Sequence, residues 1–268
     1  MTETASAKAP LKGSITLTLP RSGSSWVATI AKKSGNMGLQ SEWLDFQGLP
    51  KPLSSYNADR YYRHVIASAS TPNGRFSLKI FPQHLQDSFG KFGFDFIRRC
   101  RAEHDVTINV LKRKDRLGQA ISLVLAMQTQ RWNTDPDTNR HRRPRYSFAK
   151  ICQASFQIGQ GYAFWENYLA IHDITYETFV YETLLDNPAP YFDAMAQHMG
   201  VPALDRYETH LKIQRNELNA AWRQRFHEDI AQKGMDPAAF HLPQPEATLS
   251  NAARVLFDKP LWPKPRTL

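Results

Sequence analysis

The feature that most constrains this chain is Ser14-Ile-Thr-Leu-Thr-Leu19 running straight into Pro20-Arg-Ser-Gly-Ser-Ser25. The first stretch alternates apolar and polar residues and is rich in β-branched types, which predicts a strand. Pro20 to Gly23 break it, and Ser24 to Lys33 predict a helix opening on serines able to cap its N-terminus. Strand, Gly/Ser-rich turn and helix in that order is the physical recipe for holding a phosphate group. The helix start offers unpaired backbone N–H donors and the positive end of the dipole. Gly23 lets the backbone approach an anion closely, Ser22, Ser24 and Ser25 add hydroxyl donors, and Arg21 adds charge. An ordinary βα turn with a serine cap would use the same residues, so the loop alone does not decide. It lacks the first glycine and the lysine of GxxxxGK[ST], which disfavours a magnesium–triphosphate site.

Further along, Phe76–Phe81, Thr107–Leu111 and Ile174–Val180 predict strands, and Asp115–Trp132, Phe148–Ile171 and Pro190–Met199 predict helices. Strands alternating with helices give an α/β fold with a central parallel β-sheet flanked by helices on both faces. Residues 44–75 carry no clear period and are expected to be irregular; Tyr56, Tyr61 and Tyr62 there are candidates for stacking on an acceptor or for packing the loop. The expected division is a disordered segment at 1–13, one domain at 14–235, and a tail at 236–268 that holds five prolines between Pro243 and Pro265.

Composition narrows the function classes. Lys and Arg exceed Asp and Glu by 34 to 25, a surplus suited to a polyanionic ligand, a nucleic acid or an anionic membrane surface. A nucleic-acid module would need stacking aromatics in a basic stripe, whereas the aromatics here occupy core-like positions. The densest basic stretch, Asn139–Arg145, is a solvated loop, a lid, or a guide toward anionic glycolipid at a membrane surface. Cys100 and Cys152 form no CxxC pattern, and the nine histidines show neither HxxxH nor HExxH, so neither a disulfide framework nor a dedicated metal site is expected. No apolar run spans a membrane and the first ten residues lack a secretory signal, which fits a cytoplasmic protein. Lys79, between Leu78 and Ile80, is expensive to bury without an anionic partner; a strand with one wet face would leave it in solvent.

Beyond the third strand comes Leu111-Lys-Arg-Lys-Asp-Arg-Leu-Gly-Gln-Ala-Ile-Ser122, continuing to Ala126-Met-Gln-Thr-Gln-Arg-Trp132. Together with the PRSGS loop, this block resembles the bacterial trehalose-sulfotransferase-like family, to which Nod-factor sulfotransferases look related. Val180-Tyr-Glu-Thr-Leu184 is similar to its YExL, and Gln214 with Trp222-Arg-Gln-Arg-Phe226 is similar to its closing stretch. The resemblance covers roughly residues 14 to 230 and implies a P-loop-NTPase-like sulfotransferase fold.

The same resemblance implies an activity: sulfuryl transfer from PAPS (3′-phosphoadenosine 5′-phosphosulfate) to a hydroxyl of a carbohydrate or glycolipid, with no metal. Arg21, Ser22, Gly23, Ser24 and Ser25 would hold the phosphosulfate, and Arg113 and Ser122 the 3′-phosphate, although Lys112 and Lys114 compete with Arg113 for that role. Gly38-Leu-Gln-Ser-Glu42-Trp43 matches the family's G-x-x-x-E-aromatic setting and makes Glu42 the candidate base, partly buried beside Trp43 and Phe46. Lys79 would act near the sulfate or acceptor, Trp43 and Trp132 near the acceptor, and Glu182 would orient a basic side chain. The resemblance also extends a homodimer as an expectation. The competing readings are a P-loop-like kinase or nucleotide-binding enzyme and, further off, the nucleic-acid module.

Overall fold

The computed structural model describes residues 10–132, 143–211, 217–234 and 249–256. Four strands, β1 (Lys12–Leu17), β2 (Arg75–Ile80), β3 (Asp105–Lys112) and β4 (Glu177–Val180), form one parallel sheet in the order β2-β1-β3-β4. Ten helices accompany them among the described residues: α1 (Ser24–Ser34), α2 (Ala58–Ala69), α3 (Pro82–Phe92), α4 (Phe96–Glu103), α5 (Arg116–Thr129), α6 (Phe148–Ile171), α7 (Tyr181–Asp186), α8 (Ala189–Met199), α9 (Glu217–Lys233) and α10 (Leu249–Leu256). The α/β architecture with a central parallel sheet is as the periodicity predicts. None of these helices is long and apolar enough to cross a membrane.

Register explains why the strands alternate although both faces of the sheet are covered. Ile15 lies beside Leu78 and Ile108, and Leu17 beside Ile80 and Val110, so one face is apolar throughout. It packs on Tyr61, Tyr62 and Val65 of α2, Phe96 and Ile97 of α4, and Trp165 and Leu169 of α6. The opposite face carries Ser14, Ser77 and Thr107 in one row and Thr16, Lys79 and Asn109 in the next. Most of these polar groups bond across the face, Ser77 Oγ being an exception: Asn109 donates to Ser14 at 3.0 Å, Gln40 donates to Thr16 at 2.7 Å, and the Thr16 and Tyr191 hydroxyls share a 2.8 Å bond. Buried polar groups satisfied in this way cost little and leave a hydrophilic floor beneath α1.

The expectation that residues 44–75 are irregular is corrected. Asn57 accepts the Arg60 N–H and caps α2, which puts Tyr61, Tyr62, Val65, Ile66 and Ala69 on one inward stripe. Tyr61 is 0 % and Tyr62 2 % exposed, and the Tyr61 hydroxyl donates to the Leu44 carbonyl at 2.8 Å. Tyr56 is buried too. These rings are core, with no face open to an acceptor. Tyr61→Ala should therefore cost stability, about 3–5 kcal/mol by denaturant unfolding, and leave ligand affinity unchanged in the protein that remains folded.

The helices α3 and α4 fill a stretch between β2 and β3 for which the sequence pattern predicts nothing. The closing Trp222-Arg-Gln-Arg-Phe226 lies on α9, where Trp222 and Phe226 pack on Ala120, Ile121 and Val124 of α5 and Ile151 of α6. Gln214, residues 139–142 and most of the expected N-terminal segment and C-terminal tail lie outside the described residues; within the expected tail, α10 is helical.

Candidate active site

The chain leaves β1 toward β2 and leaves β3 toward β4, so the connections diverge at the carboxyl ends of these neighbouring strands. Open parallel sheets bind ligands at such a switch point. The loop 18–23 and the loop 113–115 meet there.

The first loop is held from behind. Thr18 Oγ1 donates to the Leu111 carbonyl at 2.9 Å, which spends its single proton, so the 2.7 Å bond between Thr18 and Ser22 has Ser22 donating. Ser22, 0 % exposed, is thus a staple of the loop, its hydroxyl committed to Thr18. Gln119 on α5 donates to the Pro20 carbonyl at 2.9 Å. Gly23, at φ 90°, is the N-cap of α1 and makes no side-chain cap, so Ser24 and Ser25 are the first helical residues and the expected serine cap is absent. Trp26 and Val27 donate to the Gly23 carbonyl, which leaves the N–H groups ahead of them without an intrahelical acceptor. The first turn holds no acidic side chain, so its positive end is uncompensated.

Gly23 is also sterically required. A Cβ there would lie 2.0 Å from the Tyr181 ring, in a backbone region that L-residues avoid. Gly23→Ala should lower stability by about 1–3 kcal/mol, read as a fall in melting temperature, with anion affinity lost alongside.

The second loop brings Arg113 to the first. Arg113 Nη1 donates to the Arg21 carbonyl at 3.1 Å, and its guanidinium lies over the Tyr181 ring at 5.7 Å. Lys112 instead turns to Glu166 at 2.7 Å, and Lys114 is exposed, so the geometry separates the three basic candidates. Glu182, at the start of α7, accepts the N–H groups of Lys114 at 2.8 Å and Asp115 at 3.1 Å and lies 3.5 Å from Arg113 Nε. It both caps the loop and orients the arginine. Asp115 caps α5 through the Gly118 N–H at 2.9 Å and takes a hydrogen bond from Arg223 of α9. Burial would raise the Asp115 carboxyl, but the bonds from Arg223 and Gly118 outweigh it and hold the group below the usual carboxylate range.

Arg21 does not fold back over its own loop. Its Nε donates to the Ser122 hydroxyl at 2.9 Å and its Nη1 to the Trp132 carbonyl. Arg21 and Ser122 therefore lie together, whereas the family resemblance assigns them to opposite ends of the donor. Burial first, and the Arg113 guanidinium second, hold Arg21 below its ordinary pKa. Two guanidiniums that repel each other favour a multiply charged anion between them. Trp132 is 44 % exposed and so is no core residue.

Lys79 is only 5 % exposed, on the polar face of β2, and that face is covered rather than wet. Its ammonium lies 2.8 Å from Glu42 Oε1 and donates to Ser25 Oγ at 3.1 Å. The segment carrying Glu42 is pinned along the sheet edge: Lys79 N–H donates to the Ser41 carbonyl at 3.0 Å, and Ser41 bridges to Leu78. Gly38 permits this approach, because at φ 81° a Cβ would come within 2.3 Å of the Ser77 nitrogen. Trp43 is half-buried and its Nε1 donates to the Leu39 carbonyl, which fixes the ring beside Glu42. Two pattern elements far apart in sequence, the lysine of β2 and the glutamate after α1, thus meet at the first turn of α1.

Sequence reasoning gave no role to Thr18, Gln119, Asp115 or Arg223, which hold the two loops in place. Gln119 lies inside the QAxS block and could have been found there. Arg223 meets Asp115 only through the packing of α9, and nothing in the local pattern announces it. Basic residues 139–142 lie outside the described residues; the end of that stretch is sewn to α5 by paired bonds between Gln128 and the Arg145 backbone at 2.7 and 2.9 Å.

A helix start whose first N–H groups lack intrahelical acceptors, two neighbouring arginines, and a Lys79–Glu42 pair reaching the same helix through Ser25 thus gather at one βα loop of an α/β fold. The family model for Stf0 sulphotransferases matches residues 14–229. The chain belongs to that family and is of the sulfotransferase class. No individually curated protein matches the sequence. Among solved structures, the sulfotransferase domain from the Synechococcus PCC 7002 olefin synthase aligns at a TM-score of 0.39 and 16 % identity, over 96 % of this chain and 98 % of that one.

Proposed function

We propose that this protein transfers the sulfuryl group of PAPS to a hydroxyl of a carbohydrate or glycolipid, by in-line displacement with Glu42 as the base. The observation that carries this reading is the Ser25–Lys79–Glu42 chain, with bonds of 3.1 and 2.8 Å, which couples the anion-binding loop to a carboxylate. The residues fit such a donor: the first turn of α1 carries no acidic side chain, and Arg113 Nε is buried without a hydrogen bond, its ion-pair partner Glu182 standing 3.5 Å away.

The donor supplies a sulfuryl group on a phosphate leaving group. The N–H groups at the start of α1 would hold the 5′ end, with the Ser25 hydroxyl free to donate because its oxygen accepts from Lys79. Arg21, Arg113 and Ser122 would grip the 3′-phosphate, a dianion that relieves the repulsion between the two guanidiniums. Lys79 stands between the loop and the base, where an ammonium stabilises charge that builds on the transferred group and keeps the Glu42 carboxylate oriented. Glu42, with its side chain 35 % exposed, can take the proton of an acceptor hydroxyl and return it to water. Guanidinium, ammonium and backbone donors supply the positive charge the scheme needs, so no metal is called on.

Calorimetric titration with 3′,5′-ADP tests the donor assignment. Micromolar binding at one site per chain is the expected result; no binding would remove PAPS from the proposal. A screen of sugars and glycolipids in the presence of PAPS then identifies the acceptor.

A further inference from the structure

His84 has no part in the scheme above. It sits in the first turn of α3, 8 % exposed, with the Phe81 ring stacked on it at 4.9 Å. Its Nδ1 is buried without a hydrogen-bond partner. Burial holds the imidazole below its ordinary pKa, against the pull of Glu42, Asp45 and Asp87.

One ligand atom each from Glu42, Asp45 and His84 lie within 4.8 Å of one another. Each carboxylate is already oriented by a bond to one oxygen. Lys79 takes Glu42 Oε1 at 2.8 Å, and the Gln47 N–H takes Asp45 Oδ1 at 2.9 Å. Oriented carboxylates with a second oxygen to offer, next to a buried imidazole nitrogen that makes no hydrogen bond, are the usual preparation of a metal site. Two oxygens and one imidazole nitrogen suit zinc or manganese.

We propose that Glu42, Asp45 and His84 form a divalent-cation site whose occupation withdraws Glu42 from the acceptor hydroxyl and inhibits transfer. The inhibitory part rests on the role given to Glu42 above; the binding part does not. Lys79 sets the affinity. Two carboxylates and one ammonium leave a single negative charge to attract the ion, and the ammonium repels it at close range. The site is therefore weaker than a structural zinc centre, and it strengthens when the ammonium is removed.

Calorimetric titration of the EDTA-stripped full chain with ZnCl₂, then MnCl₂, reads this site without donor or acceptor. One ion per chain is expected, with D45N and H84N each weakening binding at least about tenfold and K79M tightening it. Thermal unfolding in EDTA reports whether each variant is folded, and D45N alters a partly buried residue outside the helices should H84N fail to fold. Absence of binding up to millimolar ion would overturn the assignment. So would affinity unchanged in D45N and H84N, or unchanged or weaker in K79M. 3′,5′-ADP binding by the unaltered protein is measured independently of all of these, so failure of this site is distinct from failure of the donor assignment.

Discussion

Glu42→Gln is expected to lower turnover by about 10²–10⁴-fold and to leave 3′,5′-ADP affinity within a few-fold of wild type. Glutamine keeps the size of the side chain and an oxygen for Lys79, but it cannot accept the acceptor's proton. The variant also removes the negative partner of an ammonium that is 5 % exposed, so some stability goes with it. That loss is tempered because Glu42 is itself 35 % exposed and water reaches the pair. Measuring 3′,5′-ADP release under saturating PAPS, beside calorimetry on the same sample, separates the two effects. Near-normal turnover with intact donor binding would sink the base assignment.

Arg113→Ala should abolish most donor affinity. Removing a desolvated arginine from a charge-paired contact costs about 2–5 kcal/mol, or roughly 30- to 4,000-fold in Kd for 3′,5′-ADP. Its side chain is 12 % exposed, and its guanidinium holds the Arg21 carbonyl and sits over Tyr181, so both a phosphate contact and the shape of the loop are lost. Arg113→Lys restores the charge without the fork and should recover only part of the affinity. Lys112→Ala is the control: Lys112 is committed to Glu166, and its loss should change Kd by less than about threefold, as surface ion pairs contribute little. Equal losses in the Arg113 and Lys112 variants would mean that the 3′-phosphate assignment is wrong.

Legibility followed the range over which each signal acts. The β1–α1 unit was readable because alternation, Gly23 and the serines act within a dozen residues. Helix α6 appears over Phe148–Ile171, as its pattern predicts, because a long amphipathic run averages out local noise. Helix α2 was missed although Asn57 and the i, i+4, i+8 spacing of Tyr61, Val65 and Ala69 are local signals, because the middling helix propensity of its aromatic and β-branched residues masked them. Lys79 was ambiguous for a different reason. Alternation says that one face of β2 is polar but not whether that face meets water, and α1 and α8 cover it.

Residue pattern alone specified a parallel α/β sheet and a Gly/Ser-rich turn between its first strand and first helix, because alternation and turn residues act over short stretches of chain. Arg113, Ser122 and Glu42 stood out only through the resemblance to a known family, while Lys79 also drew notice as a lysine between two apolar residues of a strand. The tertiary structure decided who meets whom. It carried Arg21 away from its own loop to Ser122, turned Ser22 inward against Thr18, and brought Lys79 between Ser25 and Glu42. Those pairings depend on strand order, on the register of β2 with β1 and on the close approach of Gly38 to the sheet edge, none of which is encoded in residues near each other along the chain.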